Sequence, residues 1–144
     1  MTAPVITASP LCADLLAGVH RACFGPAAWS AASIAALFTT GLVFGYALEP
    51  GGMVLARAVA DEAEILTIGV VPAARRQGLA RRLLGLAAAE AGRRGAATLF
   101  LEVAADNEPA LCLYRAFGFA DCAIRRDYYG RGRDALLLKR PLCE

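Results

Sequence analysis

The stretch that decides the fold reads Ile68-Gly69-Val70-Val71-Pro72-Ala73-Ala74-Arg75-Arg76-Gln77-Gly78-Leu79-Ala80. It joins a buried strand to a helix through a turn of backbone amides. Residues 65–71 are apolar and β-branched, Pro72 stops the run, and an amphipathic pattern begins beside Gly78. Gly78 has no Cβ and Ala80 only a methyl, so the first helical turn can bring its free N–H groups close to a ligand. Such a turn attracts phosphate through its amides and dipole, and Arg75, Arg76 and Arg81 add full positive charge beside it. The opposing reading is a solvated helix start with a few arginines. The loop lacks the Gly-Lys-Ser/Thr of a Walker loop and the three glycines of a dinucleotide fingerprint, which excludes both of those sites.

Upstream, residues 42–48 and 53–59 read as strands joined by the turn Pro50-Gly51-Gly52, and a third strand over 64–71 follows the acidic turn Asp61-Glu62. Before them, residues 8–24 read as a helix with Ser9 as cap and Pro10 in first position. Leu11, Leu15, Leu16, Val19 and Cys23 mark its apolar face, and Gly25-Pro26 ends it. Trp29 reads as core, and Ser30 caps a short second helix through Ile34, Leu37 and Phe38. Downstream, a helix carries Leu79, Leu83, Leu86 and Ala87 inward, with Gly92 and Gly95 bracketing its end. Residues 98–103 follow as a central strand, apolar on both faces, and this connection implies a parallel or splayed pair. A further helix starts at Asn107 or Glu108 with Pro109 in its first turn, carries Leu111, Tyr114 and Phe117, and closes at Gly118. Two strands, 119–126 and 134–139, flank Tyr128-Tyr129-Gly130-Arg131-Gly132. The pattern predicts an α/β fold, a mixed sheet flanked by helices, in a single domain over residues 1–144.

Composition narrows the function. The apolar fraction is 58%, much of it alanine, yet no run reaches the roughly 18 uncharged apolar residues of a membrane span. Residues 1–12 lack a basic start and carry Pro4 and Pro10, unlike a signal peptide, so a cytoplasmic protein is expected. The cysteines are Cys12, Cys23, Cys112, Cys122 and Cys143, an odd set without CxxC spacing, and the only histidine is His20. Free thiols and no metal are expected, with His20 a packed or surface side chain. A net charge of +2 does not give a broad nucleic-acid-binding face.

Three side chains can carry chemistry. Glu102 is the one charge in Leu99-Phe100-Leu101-Glu102-Val103. A buried carboxylate is costly unless it is paired or useful as a proton acceptor, so it is either a base, an edge residue exposed by strand twist, or the partner of an arginine. Tyr114 is either a core tyrosine or a phenol that donates to a leaving group. Asn107 either caps its helix or binds a ligand arm through its amide. Tyr128 and Tyr129, among Arg125, Arg126, Arg131 and Arg133, resemble an RNA-binding patch by composition and equally a solvated hairpin loop.

The motif Arg75-x-x-Gly78-x-Ala80 after an apolar strand resembles the acyl-CoA pyrophosphate loop of the GNAT N-acetyltransferases. With Leu99-Phe100-Leu101-Glu102-Val103, Asn107, Leu113-Tyr114, Phe117-Gly118-Phe119, Ile124-Arg125-Arg126-Asp127-Tyr128-Tyr129 and Trp29-Ser30, the chain resembles the RimI-like members of that family. These are bacterial enzymes that acetylate the N-terminal alanine of a small-subunit ribosomal protein. The resemblance implies a mostly antiparallel mixed sheet with splayed central parallel strands. It implies direct transfer from acetyl-CoA without an acyl-enzyme, with Glu102 as general base through water and Tyr114 as general acid. Ile68, Gly69 and Val70 would pair with the pantetheine, the Val70 N–H polarising the thioester. Arg76, Gln77, Gly78, Leu79, Ala80 and Arg81 would cradle the pyrophosphate, and Asn107 would contact CoA. Gly69 stands where alanine is more usual. On the acceptor side, Tyr128 and Tyr129 would cover the amine. Glu64, with Glu49, Asp61 and Glu62, would accompany the basic N-terminus of a ribosomal protein. A cytoplasmic monomer is implied, with no metal, direct nucleic-acid contact or membrane. The same CoA half also fits an acetyltransferase for lysine side chains or small amines. An acyl-CoA-binding module without turnover is the third reading, against which Glu102 and Tyr114 together speak.

Overall fold

The structure, a computed structural model, describes residues 4–142; Cys143 and its expected free thiol lie outside the described residues. Elements form in the order β1 (Val5–Thr7), α1 (Ala13–Phe24), α2 (Ala31–Leu37), β2 (Val43–Leu48), β3 (Gly52–Val59), β4 (Glu62–Val70), α3 (Leu79–Arg93), β5 (Thr98–Ala104), α4 (Glu108–Ala116), β6 (Ala120–Arg125) and β7 (Ala135–Pro141). The strands make one sheet in the order β1-β2-β3-β4-β5-β7-β6. Every pairing is antiparallel except β4 with β5. That parallel ladder is short, running from Glu62↔Thr98 to Glu64↔Phe100, after which the two strands part. The parting opens a gap at the C-terminal end of β4, directly before the loop that enters α3.

Helices cover both faces. On one, Leu79, Leu83, Leu84 and Ala87 of α3 and Leu111 of α4 pack on Val54, Ala56, Leu99, Leu101 and Leu138. On the other, Leu16 and Ala17 of α1 and Ile34 of α2 pack on Ala47, Met53 and Leu55. Each fully buried leucine contributes about 1.5–3 kcal/mol, so the α3 seam is a main source of stability. The expected caps form: Ser30 Oγ accepts the Ser33 N–H at 3.1 Å, and Asn107 Oδ1 accepts the Ala110 N–H at 3.3 Å.

Four features differ from the sequence reading or add to it. The first helix begins as a 3-10 turn, Pro10–Cys12, and α1 proper starts at Ala13 without a side-chain cap from Ser9. Its buried face is Ala13, Leu16, Ala17 and His20, while Leu11 and Leu15 are 97% and 45% exposed. Residues 5–7 form the edge strand β1, too short to show a period of two. A bulge also interrupts the β3–β4 ladder: Leu55 pairs with Thr67 but Ala56 with Ile65, leaving Leu66 as the extra residue. Beyond it Thr67 and Gly69 face α1, and Ile68 and Val70 face the α3 layer.

Candidate active site

The gap has an open backbone edge. The Val71 N–H donates to the Gly51 carbonyl at 2.8 Å, which makes that position a hydrogen-bonded pair of the ladder. Antiparallel bonding alternates, so Gly69 also faces β3, while the N–H and C=O groups of Ile68 and Val70 point to the side that β5 has left. The Val70 carbonyl accepts from Arg75 Nε at 2.9 Å. What remains toward the gap is two backbone donors, the Ile68 and Val70 N–H groups, and one acceptor, the Ile68 carbonyl.

The loop beyond is shaped for an anion. After the 3-10 turn Pro72–Ala74, Arg76 and Gly78 adopt left-handed conformations with φ of 65° and 77°. For Arg76 that conformation costs on the order of 1–3 kcal/mol, the kind of strain that gathers at ligand clamps. The start of α3 has no side-chain cap and no acidic residue in its first turn, and Arg76, Gln77 and Gly78 are exposed. Among the described residues neither Arg76 nor Arg81 meets a carboxylate; the Arg81 guanidinium stands 6.0 Å from the Phe117 ring centre. Uncapped amides, a positive dipole end and unneutralised arginines fit a diphosphate.

Behind this edge, α1 is held against β4 by unusually close packing. A Cβ on Gly69 would lie 2.8 Å from Cys23 Sγ and 3.2 Å from Cys23 Cβ, so this chain needs glycine there. His20 Nδ1 accepts the Trp29 N–H at 3.0 Å, so Nε2 carries the proton and donates to Thr67 Oγ1 at 3.0 Å. The imidazole is 3% exposed, stacks on Trp29 at 4.8 Å, and burial holds its pKa below the usual value. His20 is thus a packed residue that ties α1, the entry to α2 and the bulge of β4 together.

Glu102 and Tyr114 approach from opposite layers. Leu101 and Val103 fill the α3 and α4 layer, so Glu102 projects toward the α1 and α2 side. Its side chain is 26% exposed, and Arg125 Nε lies 3.0 Å from Oε2. That contact is out of line for a hydrogen bond, and Oε2, shielded from solvent, accepts none among the described residues. Partial exposure and an arginine partner, two of the alternatives open in the sequence, occur together. Tyr114 rises from α4 on the other side, 9% exposed and edge-on to Phe119. Burial first, and then Tyr129, push its phenol up to about 12, so it keeps its proton at neutral pH.

Tyr129 links the two. Its pKa is raised by burial and then by the Glu102 carboxylate and Tyr128, with Arg133 opposing, so it lies within electrostatic reach of both Glu102 and Tyr114. The loop that carries it is pinned by Asp127 Oδ1, which accepts the Gly132 N–H at 2.7 Å, and by Arg133 against Asp106 at 3.2 Å. Tyr128, 52% exposed, sits under Arg125 at 5.3 Å. Asn107 uses its carbonyl oxygen as a cap, leaving its amide nitrogen outward. Glu64, expected to accompany a basic acceptor, is ion-paired with Arg57, directly opposite on β3. Sequence reasoning missed this pair and the His20–Thr67 tie, both of which depend on strand register. Among the described residues no group of three His, Cys, Asp or Glu side chains could hold a metal, and no single helix is long and apolar enough to cross a membrane.

The parted strands, the anion loop and the seven-stranded mixed sheet flanked by four helices have a known counterpart. A model of the acetyltransferase (GNAT) family matches residues 25–119, and the chain belongs to that family. In sequence it is similar to the [ribosomal protein bS18]-alanine N-acetyltransferase of Escherichia coli (strain K12), 44% identical over 92 residues. The match covers 61% of this chain and 62% of the relative, less than two thirds of that protein's length. The crystal structure of the ribosomal-protein-S18-alanine N-acetyltransferase from Escherichia coli superposes with a TM-score of 0.85 at 30% identity, over 98% of this chain and 94% of that one. The crystal structure of nourseothricin acetyltransferase gives a TM-score of 0.63 at 33% identity, over 70% and 65% of the two chains.

Proposed function

We propose that this chain transfers the acetyl group of acetyl-CoA to the α-amine of an N-terminal alanine on a ribosomal small-subunit protein, by direct attack. The observation that carries the reading is the placement of Glu102 and Tyr114 on the two faces of the sheet beside the parting of β4 and β5. Likeness to the Escherichia coli alanine N-acetyltransferase supports the choice of acceptor. The donor lies along Ile68, Gly69 and Val70, with its pyrophosphate against residues 76–81 and the amide of Asn107 beside it. The amine nitrogen attacks the thioester carbon, and the Val70 N–H steadies the developing oxyanion. The C–S bond breaks, Glu102 takes the amine proton through water, and the Tyr114 phenol protonates the departing sulfur. Tyr128 and Tyr129 close over the acceptor, and Glu64 stands on its path. The enzyme acts as a single domain over residues 1–144, a monomer in the cytoplasm, without metal, nucleic acid or membrane.

Mass spectrometry of peptides incubated with protein and acetyl-CoA tests this. A peptide starting with free alanine and followed by basic residues should gain one acetyl group at its terminus, and an N-terminally blocked, lysine-containing peptide none. Labelling of the blocked peptide instead would overturn the α-amine assignment. The likeness to nourseothricin acetyltransferase favours a second reading, a small-molecule amine, which turnover of such an amine in place of both peptides would support.

A further inference from the structure

A glutamate side chain keeps several free torsions, and a base that wanders over them meets its proton only part of the time. The fold supplies Glu102 with a partner. In the ladders, Ala104, Ala135 and Arg125 stand directly opposite one another across β5, β7 and β6, and Glu102, Leu137 and Ala123 form the next row on the same face. Arg125 therefore rises from the edge strand on Glu102's side of the sheet. Alanine at 104 and 135 keeps its row low, so the long arginine side chain can lie across β7 and bring Nε to 3.0 Å from Glu102 Oε2. Neighbouring arginines are engaged elsewhere: Arg126 faces Asp134 at 3.9 Å and Arg133 faces Asp106 at 3.2 Å. Of these three, Arg125 is the one turned to the proposed base.

The contact holds the carboxylate without filling it. The approach is out of line for a hydrogen bond, and Oε2, shielded from solvent, accepts none among the described residues. Arg125 thus attracts Glu102 and leaves the lone pairs of Oε2 open to water or an amine N–H. A guanidinium stays charged and takes no proton from an amine, so Arg125 cannot replace Glu102 as base. Its second anchor is the Tyr128 ring, whose centre is 5.3 Å from the guanidinium carbon, and Tyr128 packs edge-on against Tyr129 at 5.0 Å. Glu102 and the tyrosine loop are thereby fixed to one another.

We infer that Arg125 is a positioning residue, which orients the Glu102 carboxylate and ties it to the loop carrying Tyr128 and Tyr129. The inference rests on the reading of Glu102 as base and deepens it by naming what holds that base. Arg125 acts through Glu102 and not on the substrates. With side chains 57% and 26% exposed, the pair contributes little to stability, so its loss can be read in the rate without unfolding the chain.

The test compares wild type, Arg125→Ala, Glu102→Gln and the double variant, each assayed with acetyl-CoA and the free-alanine peptide, with unfolding midpoints as a check. Arg125→Ala should lower kcat roughly 10-fold and leave KM for acetyl-CoA unchanged, because no donor contact is lost. In the Glu102→Gln background the same substitution should cost nothing further, since no carboxylate is left to orient. An equal fold-loss in both backgrounds, or a kcat for Arg125→Ala within about twofold of wild type, overturns the positioning role while the base reading stands. If Glu102→Gln keeps more than about a tenth of the wild-type rate, the base reading falls and the positioning role with it. A wild-type protein that leaves the peptide unmodified overturns both, together with the proposed acceptor.

Discussion

Around residues 75–81 the arginines meet no carboxylate among the described residues, whereas four arginines on the side proposed for the acceptor are matched: Arg57 with Glu64, Arg125 with Glu102, Arg126 with Asp134 and Arg133 with Asp106. The same side chain does two jobs. Where positive charge is left unbalanced beside uncapped helix amides, it is available to an anion from solution. Where it is balanced inside the protein, it shapes a wall and orients a carboxylate. On the proposed assignment, the donor half recognises its ligand through backbone and net charge, and the acceptor half, most of its arginines matched, discriminates by contour.

Four changes test this contrast, in descending order of effect. Glu102→Gln removes the carboxylate proposed as base, and kcat/KM should fall by about 10²–10³ with little change in unfolding midpoint. A drop under tenfold would remove the base assignment. Next is Gly69→Ala, on the strand shared by both halves. Its methyl meets Cys23 Sγ at 2.8 Å, so calorimetry should show about 1–3 kcal/mol of destabilisation, and Cys23→Ala in the same chain should restore part of it. No recovery in the double variant would mean that the strain arises elsewhere.

The third change is in pH. Burial lowers the folded pKa of His20, so the unfolded chain takes up that proton first. Stability from the neutral imidazole is complete above about 6.5 and is lost as pH falls from there toward the folded value. Denaturant midpoints of the wild-type protein should decline across that window relative to His20→Gln, and parallel curves would show that the imidazole does not report on it. The smallest effect belongs to Arg57→Ala. This half-exposed pair should contribute under about 1 kcal/mol in urea unfolding, and a larger loss would mark it as a structural support of the β3–β4 ladder.

The donor half was legible because its signals are contiguous. An apolar run, a proline, arginines and a glycine within about a dozen residues give strand, loop and helix in order, and the structure places them so. The acceptor half is assembled across the sheet. Glu102 reads as buried because its neighbours are leucine, phenylalanine and valine, yet Arg125 reaches it from β6 across β7, an adjacency set by the strand order β5-β7-β6. Leu16 and Val19 of the expected α1 face do pack inward, and Leu11 and Leu15 depart from the sequence reading for a related reason. Leucine at helical spacing marks Leu11 and Leu15 as inward, but Thr67 and the Trp29 backbone satisfy both nitrogens of His20, and that allows a polar ring to take the buried position.

The joint at His20 has one more consequence. Trp29 is the only tryptophan in the chain, and its indole stacks on that imidazole at 4.8 Å. Protonated imidazole quenches indole emission, so the protein carries its own optical gauge of the junction between α1 and α2. Steady-state fluorescence follows the ionisation of one ring without an added dye, and stopped-flow mixing with acetyl-CoA can time any change at that junction against the appearance of product.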